Sequence, residues 1–594
     1  MHMKSGFSPI LAAGFLSICL TAPSSAQQIV YADQGSNWNA TTRNSYYTQD
    51  QGSRLMPLSW LQALKRPDGT SFLADGLTRY GYLPMTGPSS GLPVGFPVTG
   101  DGPQQMVGMT CSACHTREIA VSGTRYRIDG GPALVDFHGL LVDINTATQT
   151  IANDKAAFDA FAKEVLGTEY QDPNSLAWLE TDFRLWAQRF NAIVANGVPH
   201  ENWGVGRLDA VGMIFNRLTG LDIGPPPSNL LVANIKPADA PVRYPFLWNA
   251  AIQDYTQWPG FAANGSDLLG LARNVGEVYG VFGEFAPKKE KWSLLGYDYL
   301  AGNSVNFSGL STLEGLIKKM GPPKYPFPVD QALAAQGAVV FNRTGNNGCA
   351  DCHSIQPGKS RLFNKTWRTP ILDVGTDSRQ YDVMSWTAST GVMQGARIPF
   401  LNDKLGKTEP SIDILTVAVA GSILQHYGSI LLDTRENGAS LKAAAPTADA
   451  KTASIPELRL PSNLRELKEA FPRSRGEGRT VMKKTAPDGS TAFKYESRVI
   501  QGIWATAPYL HNGSVPTLAD LLKPAAERPA QFNVGRDYDI EKVGLASTQS
   551  GVSSTTVTTG CENRNSGNSR CGHEFGTTLP DAEKRALLEY LKTL

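Results

Sequence analysis

Two pentapeptides, CSACH at 111–115 and CADCH at 349–353, hold four of the seven cysteines and two of the eight histidines of this chain. Three chemistries use a C-x-x-C pair. A zinc site needs a second paired ligand set at fingerlike spacing, and none comes after either pentapeptide. A redox dithiol sits beside a βαβ pattern, which neither flank carries. The histidine directly after the second cysteine fits the third chemistry. Two thiols reach two vinyl groups along one porphyrin edge, and the next residue turns its imidazole under the iron. Cys111, Cys114 and His115, and again Cys349, Cys352 and His353, therefore read as two covalent haem c attachments, with His115 and His353 as iron ligands.

Local elements must place these groups. Before the second pentapeptide, Asp330 is a candidate N-cap for a helix through Leu333, Val340 and Phe341, which ends in a glycine-rich turn. The terminal run DAEKRALLEYLKTL predicts an amphipathic helix with Leu587, Leu588 and Leu591 on one side. It is either an ordinary terminal helix or one that closes on the helix before CADCH, as in a cytochrome c fold. The approach to the first pentapeptide, residues 96–110, reads as strands or extended loops, and TREIAVSGTRYRIDGG reads as a hairpin. GPPPSN at 224–229 and GPPKYPFPVD at 321–330 are the firmest punctuation, and the second is the expected domain boundary.

The N-terminus supplies a compartment. A lysine, the apolar stretch PILAAGFLSICLTAPS and the small residues Ser24-Ser25-Ala26 read as a signal peptide over 1–26. Its apolar run is shorter than a membrane span, and the lipoprotein-like LSIC at 16–19 carries a bulky Ile18 before its cysteine. ILTVAVAGSIL at 414–424 fits a buried core helix. The expected protein is soluble and periplasmic or secreted. In that oxidising setting Cys561 and Cys571 read as a disulfide ahead of His573. With 55 basic and 54 acidic residues, nucleic acid is not an expected partner. AAAPTADAKTAS at 443–454 reads as a surface tether.

APYLHNGSVPTL at 507–518, two C-x-x-C-H sites and the ending GHEFGTTLPDAEKRALLEYLKTL together resemble the bacterial di-haem peroxidase superfamily. That superfamily includes di-haem cytochrome c peroxidases, the methylamine-utilisation di-haem enzyme and the larger rubber oxygenases. Length and the GHEFGT ending resemble the rubber-oxygenase branch most. The resemblance implies a displaceable or high-spin haem on His115, where oxidant binds, and a six-coordinate, electron-passing haem on His353. Peroxidases of this type place a methionine after the Y-x-H-x-G segment, yet no methionine occurs after Met482 here. The rubber-oxygenase pattern instead matches His573 as the distal ligand and leaves His511 near the haem edge, with His511 as the alternative ligand. Met384 and Met393 are outside candidates. A tryptophan between the irons is also implied; Trp248 is the first choice and Trp258 the second, against a plain core reading. His138, 23 residues after His115, either caps the first haem or is a polar residue at a helix start.

The expected fold is mainly α: two cytochrome c-like haem domains, 27–325 and 326–594, with long loop-rich insertions and a few short strands. Cofactors are two haem c groups, with a calcium ion left open. Three functions remain. A peroxidase would need an acid or base over the iron, for which Glu118 and Asp136 are near in sequence. An oxygenase would need an apolar pocket for an apolar organic substrate, which residues 205–265 permit. An electron carrier would close both irons with histidine. A small cytochrome or cupredoxin is the expected redox partner protein, with peroxide or dioxygen as oxidant.

Overall fold

The computed structural model describes residues 29–86, 91–291, 293, 295–344, 348–361, 364–399, 403–436 and 492–594. The stretch expected to be a signal peptide and the 443–454 tract lie outside the described residues.

β1 (Ile29–Tyr31) and α1 (Ala40–Thr48) precede the first pentapeptide and pack against the hairpin after it. That hairpin is the expected one, formed by β2 (Thr116–Val121) and β3 (Thr124–Asp129). Its turn residues Ser122 and Gly123 both have positive φ, as a two-residue turn matched to strand twist requires. β1 pairs in parallel with β3, giving the order β1-β3-β2. α1 is tied to the hairpin end through Asp129, whose carboxylate accepts from Trp38 Nε1, Arg43 Nε and the Tyr47 hydroxyl.

α2 (Phe137–Asn153) and α3 (Pro173–Gly197) enclose a first core rich in rings, including Trp60, Phe161 and Phe183. α4 (Asp267–Gly280) and α5 (Phe307–Ile317) begin a second core. α6 (Gln331–Phe341), α7 (Ser411–Glu436) and α8 (Asp581–Thr593) follow in the C-terminal half. α7 carries the 414–424 run into the second core, where Ile414, Val417 and Ala418 are buried. Among the described residues no helix is long and apolar enough to cross a membrane.

α6 starts where Asp330 caps it, accepting from Leu333 N at 2.9 Å; such a cap contributes about 1 kcal/mol. α8 crosses it at Gly337, where any Cβ would run into the Ala586 carbonyl. Phe341 meets Tyr590 at 5.3 Å, and Arg343 forms a two-pronged ion pair with Glu583. Leu587 and Leu591 of α8 are buried and Leu588 partly so. The terminal helix thus closes on the helix that feeds the second pentapeptide. The third core draws on both sides of the 321–330 segment, joining Ile119 and Ile128 of the hairpin to Trp504, Tyr538 and Leu587.

The described residues are 40% helical and 16% strand, a mixed fold rather than the mainly α one expected. Its 58 glycines and 38 prolines cut helices short. Extended stretches then satisfy backbone groups by pairing over two to six residues at a time. Runs that short carry too little alternation to be read in sequence.

Candidate haem centres

Cys111–Cys114 is one helical turn, closed by His115 N donating to Cys111 O at 2.9 Å. The second pentapeptide folds alike, with His353 N donating to Cys349 O at 3.0 Å. One turn sets the two thiols on the same side with the histidine beside them. All four cysteines are free. Burial pushes Cys111 and Cys114 up to about 12 and Cys349 up to about 11. Raised in this way, the thiols are poor at disulfide exchange.

Both histidines are held by a distant backbone carbonyl. His115 Nδ1 donates to Pro245 O at 2.8 Å, and His353 Nδ1 donates to Arg498 O at 2.8 Å. A carbonyl only accepts, so each Nδ1 carries the proton and each Nε2 presents a lone pair. Burial lowers the His115 pKa to about 4 and lowers that of His353. Both rings are neutral, the state an iron needs.

The two sites differ on their far sides. The ring of His573 faces that of His353 at 6.2 Å between centroids and 44° between planes. Two imidazoles sharing one metal, each nitrogen about 2 Å from it and about 1 Å from its ring centre, stand about 6 Å apart. Burial, then the neighbouring His353 and Arg528, lower the His573 pKa to about 3, and its Nδ1 has no hydrogen-bond partner. His573 has φ +53, a conformation non-glycine residues rarely adopt. It is held there by its N–H to Val374 O and by Arg528, which donates to the carbonyls of Gly572 and His573. The Cys561–Cys571 disulfide forms, closing the loop just ahead of it.

At the first site no second histidine ring pairs with His115 among the described residues. His115 meets Tyr244 at 5.9 Å, and the Tyr46 hydroxyl donates to His115 O. His138 instead meets Trp203 edge-on at 5.2 Å within the first core, its Nδ1 without a partner. Cys111 packs against the second core and Cys114 against the first, so this site lies at their seam. A cavity of about 80 Å³ opens between α4 and α7, lined by Ile214, Phe261, Leu269, Ile412, Leu415 and Val419. Its polar end is Gln257, Arg273 and Glu277. Glu277 is surrounded by protein yet 43% open, because it faces this cavity. Burial raises its pKa, with Arg273 and the hydrogen bond from Gln257 opposing. Glu277 and Arg273 lie within electrostatic reach of Cys111, which relates this cavity to the first attachment.

The remaining expected residues take other places. His511 stacks on Tyr495 at 3.8 Å, and its Nε2 lies 2.8 Å from Asp377 Oδ2, off the axis of a directed hydrogen bond. The segment around it is clamped from the N-terminal half. Arg117 donates to Ala507 O, Arg243 to Leu510 O and Arg207 to Asn512 O. Trp248 is fully buried, donates to Gln501 O and stacks on Phe246 at 4.9 Å. Trp258 lies under the guanidinium groups of Arg243, at 4.9 Å, and Arg498, at 5.9 Å. Two cations disfavour loss of an electron from that ring. Glu118 is taken up by Arg125 and Arg127, and Asp136 by the N-terminus of α2. Met384 and Met393 are buried in the second core. Of the interval 205–265, residues 214, 257 and 261–263 reach the cavity. No group of three or more His, Cys, Asp or Glu side chains gathers as a metal site among the described residues.

The residues fit haem in one further respect. Arg243 and Arg117, both buried, keep Nη1 and Nη2 respectively without a partner, and unpaired buried cations call for anions such as the carboxylates a haem carries.

A family model for RoxA-like, cytochrome c-like proteins matches residues 494–533, the stretch that holds Arg498 and His511. The "Uncharacterized protein y4iJ" of Sinorhizobium fredii (strain NBRC 101917 / NGR234) is 30% identical over 652 residues, covering 99% of this chain and 98% of its own. The "Uncharacterized protein y4iM" of the same organism is 25% identical over 368 residues, 59% of this chain and 63% of its own. A RoxA-like cytochrome c segment implies covalently bound haem c and supports a haem oxidoreductase of the rubber-oxygenase-like cytochrome c kind. One such segment is matched, where two cytochrome c-like domains were expected.

Proposed function

The chain belongs to the same family as y4iJ, and from that premise we propose an exported di-haem c oxidoreductase whose two centres divide the work. The His115 centre reacts with hydrogen peroxide or dioxygen. The His353 centre, closed on its far side by His573, passes electrons supplied by a small redox protein. The observation that carries this reading is the asymmetry: one histidine faces its like at 6.2 Å, while the other stands at a seam beside a cavity.

When bound, haem iron supplies the redox chemistry with the oxidant. The chain supplies the rest. Cys111 and Cys114 add their thiols to the porphyrin edge, and Pro245 O fixes the His115 ring with Nε2 presented. Glu277 Oε1 is held by Gln257 Nε2 at 2.7 Å, which leaves Oε2 to hold or release a proton at the cavity wall. That is the acid or base the peroxide reading needs. The apolar side chains of α4 and α7 line much of the rest of the cavity. These walls also favour a second reading, oxidative cleavage of a carbon–carbon double bond in an apolar substrate. Trp248 serves as a relay between centres in either case.

Mass spectrometry and electron paramagnetic resonance of the purified holoprotein test this, before and after peroxide and, on the reduced form, dioxygen. Two haem masses, one high-spin or displaceable signal and one inert low-spin signal are expected; the reacting oxidant chooses between the readings. Two low-spin signals unchanged by either oxidant would leave an electron carrier.

A further inference from the structure

We propose that Arg498 couples the two centres, as a positioning residue that joins their proximal histidines through one continuous chain of bonds; the inference rests on the two-haem reading above. His115 Nδ1 donates to Pro245 O at 2.8 Å. The next residue along the same peptide, Phe246, offers its own carbonyl to Arg498 Nη1 at 2.6 Å. The carbonyl of Arg498 in turn accepts from His353 Nδ1 at 2.8 Å. Three hydrogen bonds and the covalent frame of three residues thus lead from one imidazole to the other, with no gap to be crossed through space.

The side chain is built for this place. Arg498 is 6% exposed, and its Nε is fixed by Glu496 Oε1 at 2.7 Å. The guanidinium lies over the Phe246 ring at 5.0 Å, so the same group grips both the carbonyl and the ring of its partner. Only arginine's planar fork meets Glu496 and Phe246 at once; lysine has a point charge and a single approach. A hydrogen bond to a ligating histidine sets that ligand's basicity, and chained hydrogen bonds polarise one another. A change of charge at one iron is thereby felt at the other ligand. With both haems bound, the step this link would serve is one electron lost on the His353 side and gained on the His115 side. No bond to hydrogen or carbon is made or broken.

Substitution of Arg498 cuts only the middle link, because its backbone carbonyl still holds His353. The test compares wild type, Arg498→Gln, the double variant Arg498→Gln/Glu496→Gln and Trp248→Phe. Intact mass first counts haems; fewer than two in wild type would sink the two-haem reading itself. Each two-haem protein is then half-reduced with dithionite, inter-haem equilibration is tracked after photolysis of carbon monoxide, and both midpoint potentials are titrated. Both Arg498 variants should equilibrate about tenfold more slowly or worse, with a shifted potential at the His353 centre, while Trp248→Phe, which removes the relay ring, slows equilibration with both potentials unmoved. If Arg498→Gln fails to fold around an unpaired Glu496, the double variant, which leaves no lone buried carboxylate, decides. Arg498 variants with two haems, wild-type rates and unmoved potentials would overturn the proposal, as would slowing confined to Trp248→Phe.

Discussion

The two pentapeptides fold alike to the atom that matters, each presenting Nε2 from a histidine whose Nδ1 is tied to a far carbonyl. They part company on the opposite side. The second site is finished by a late loop, fastened by a disulfide, by Arg528 and by a left-handed residue, that delivers His573. The first ends in a seam between two cores and a small cavity with one carboxyl at its wall. Near sequences can thus build unlike centres, because the attachment motif fixes only the proximal half. What each motif faces on its far side comes from segments about a hundred residues away or more.

The largest expected effect removes the difference outright. His573→Asn keeps a residue that tolerates the left-handed backbone but takes away the second imidazole. Under the two-centre reading the low-spin resonance of the His353 haem should be lost completely and replaced by a second high-spin signal. A low-spin signal that survives would place the ligand elsewhere, and His511, the alternative ligand, would be tested next. Glu277→Gln acts on the other side of the comparison. If Glu277 moves the proton, the peroxide rate should fall about 10²- to 10⁴-fold with the His353 spectrum untouched. Its raised pKa keeps the carboxyl protonated to higher pH than usual. A step that needs the carboxylate as base should therefore gain rate as pH rises through that pKa, and the glutamine variant should lose this limb. An unchanged pH–rate profile would remove Glu277 from the chemistry.

Much of the proximal architecture was legible because it is local. Two C-x-x-C-H turns, Asp330 as a cap and the 116–129 hairpin are each written in contiguous residues. The disulfide was legible by elimination in an oxidising setting, and the terminal helix by its 3.6-residue period. Pro245 and Arg498 were not, since they serve the histidines through backbone carbonyls that every residue type offers. Arg117, Arg207 and Arg243 likewise clamp 507–512 from hundreds of residues away. Glu118 and Asp136 looked like candidate acids only because they stood near His115 in sequence. Local ion pairing and helix capping claim them, while Glu277 arrives from α4 with no motif to announce it. The strand content was missed for a related reason: pairs of two or three residues leave no periodic trace.

A smaller effect tests how His573 is held opposite His353. Replacing Cys561 and Cys571 with serine frees a short loop and should lower stability by about 2–3 kcal/mol. More tellingly, the His353 haem should show a mixture of six-coordinate and five-coordinate signals, while the His115 haem is unmoved. Reduction of the native protein should reproduce the mixture, read by resonance Raman or electron paramagnetic resonance. A uniform low-spin signal in the serine variant would show that Arg528 and the Val374 hydrogen bond suffice to hold His573.

The smallest expected effect bears on the open centre. His138 is 8% exposed, its ring edge rests on Trp203 and its Nδ1 has no partner. Burial lowers its pKa, so the neutral ring sits in the first core largely as an apolar body. Replacing a polar group whose hydrogen-bonding capacity is already unmet with an apolar one of similar size is nearly neutral or stabilising. His138→Leu should therefore shift stability by less than about 1.5 kcal/mol and leave the resting spectrum of the His115 haem as it was. A capping histidine behaves in the opposite way: its loss would turn a low-spin first haem high-spin and speed the reaction with peroxide. The resting spectrum of this one variant therefore tells whether the first centre is open by construction or only when reduced.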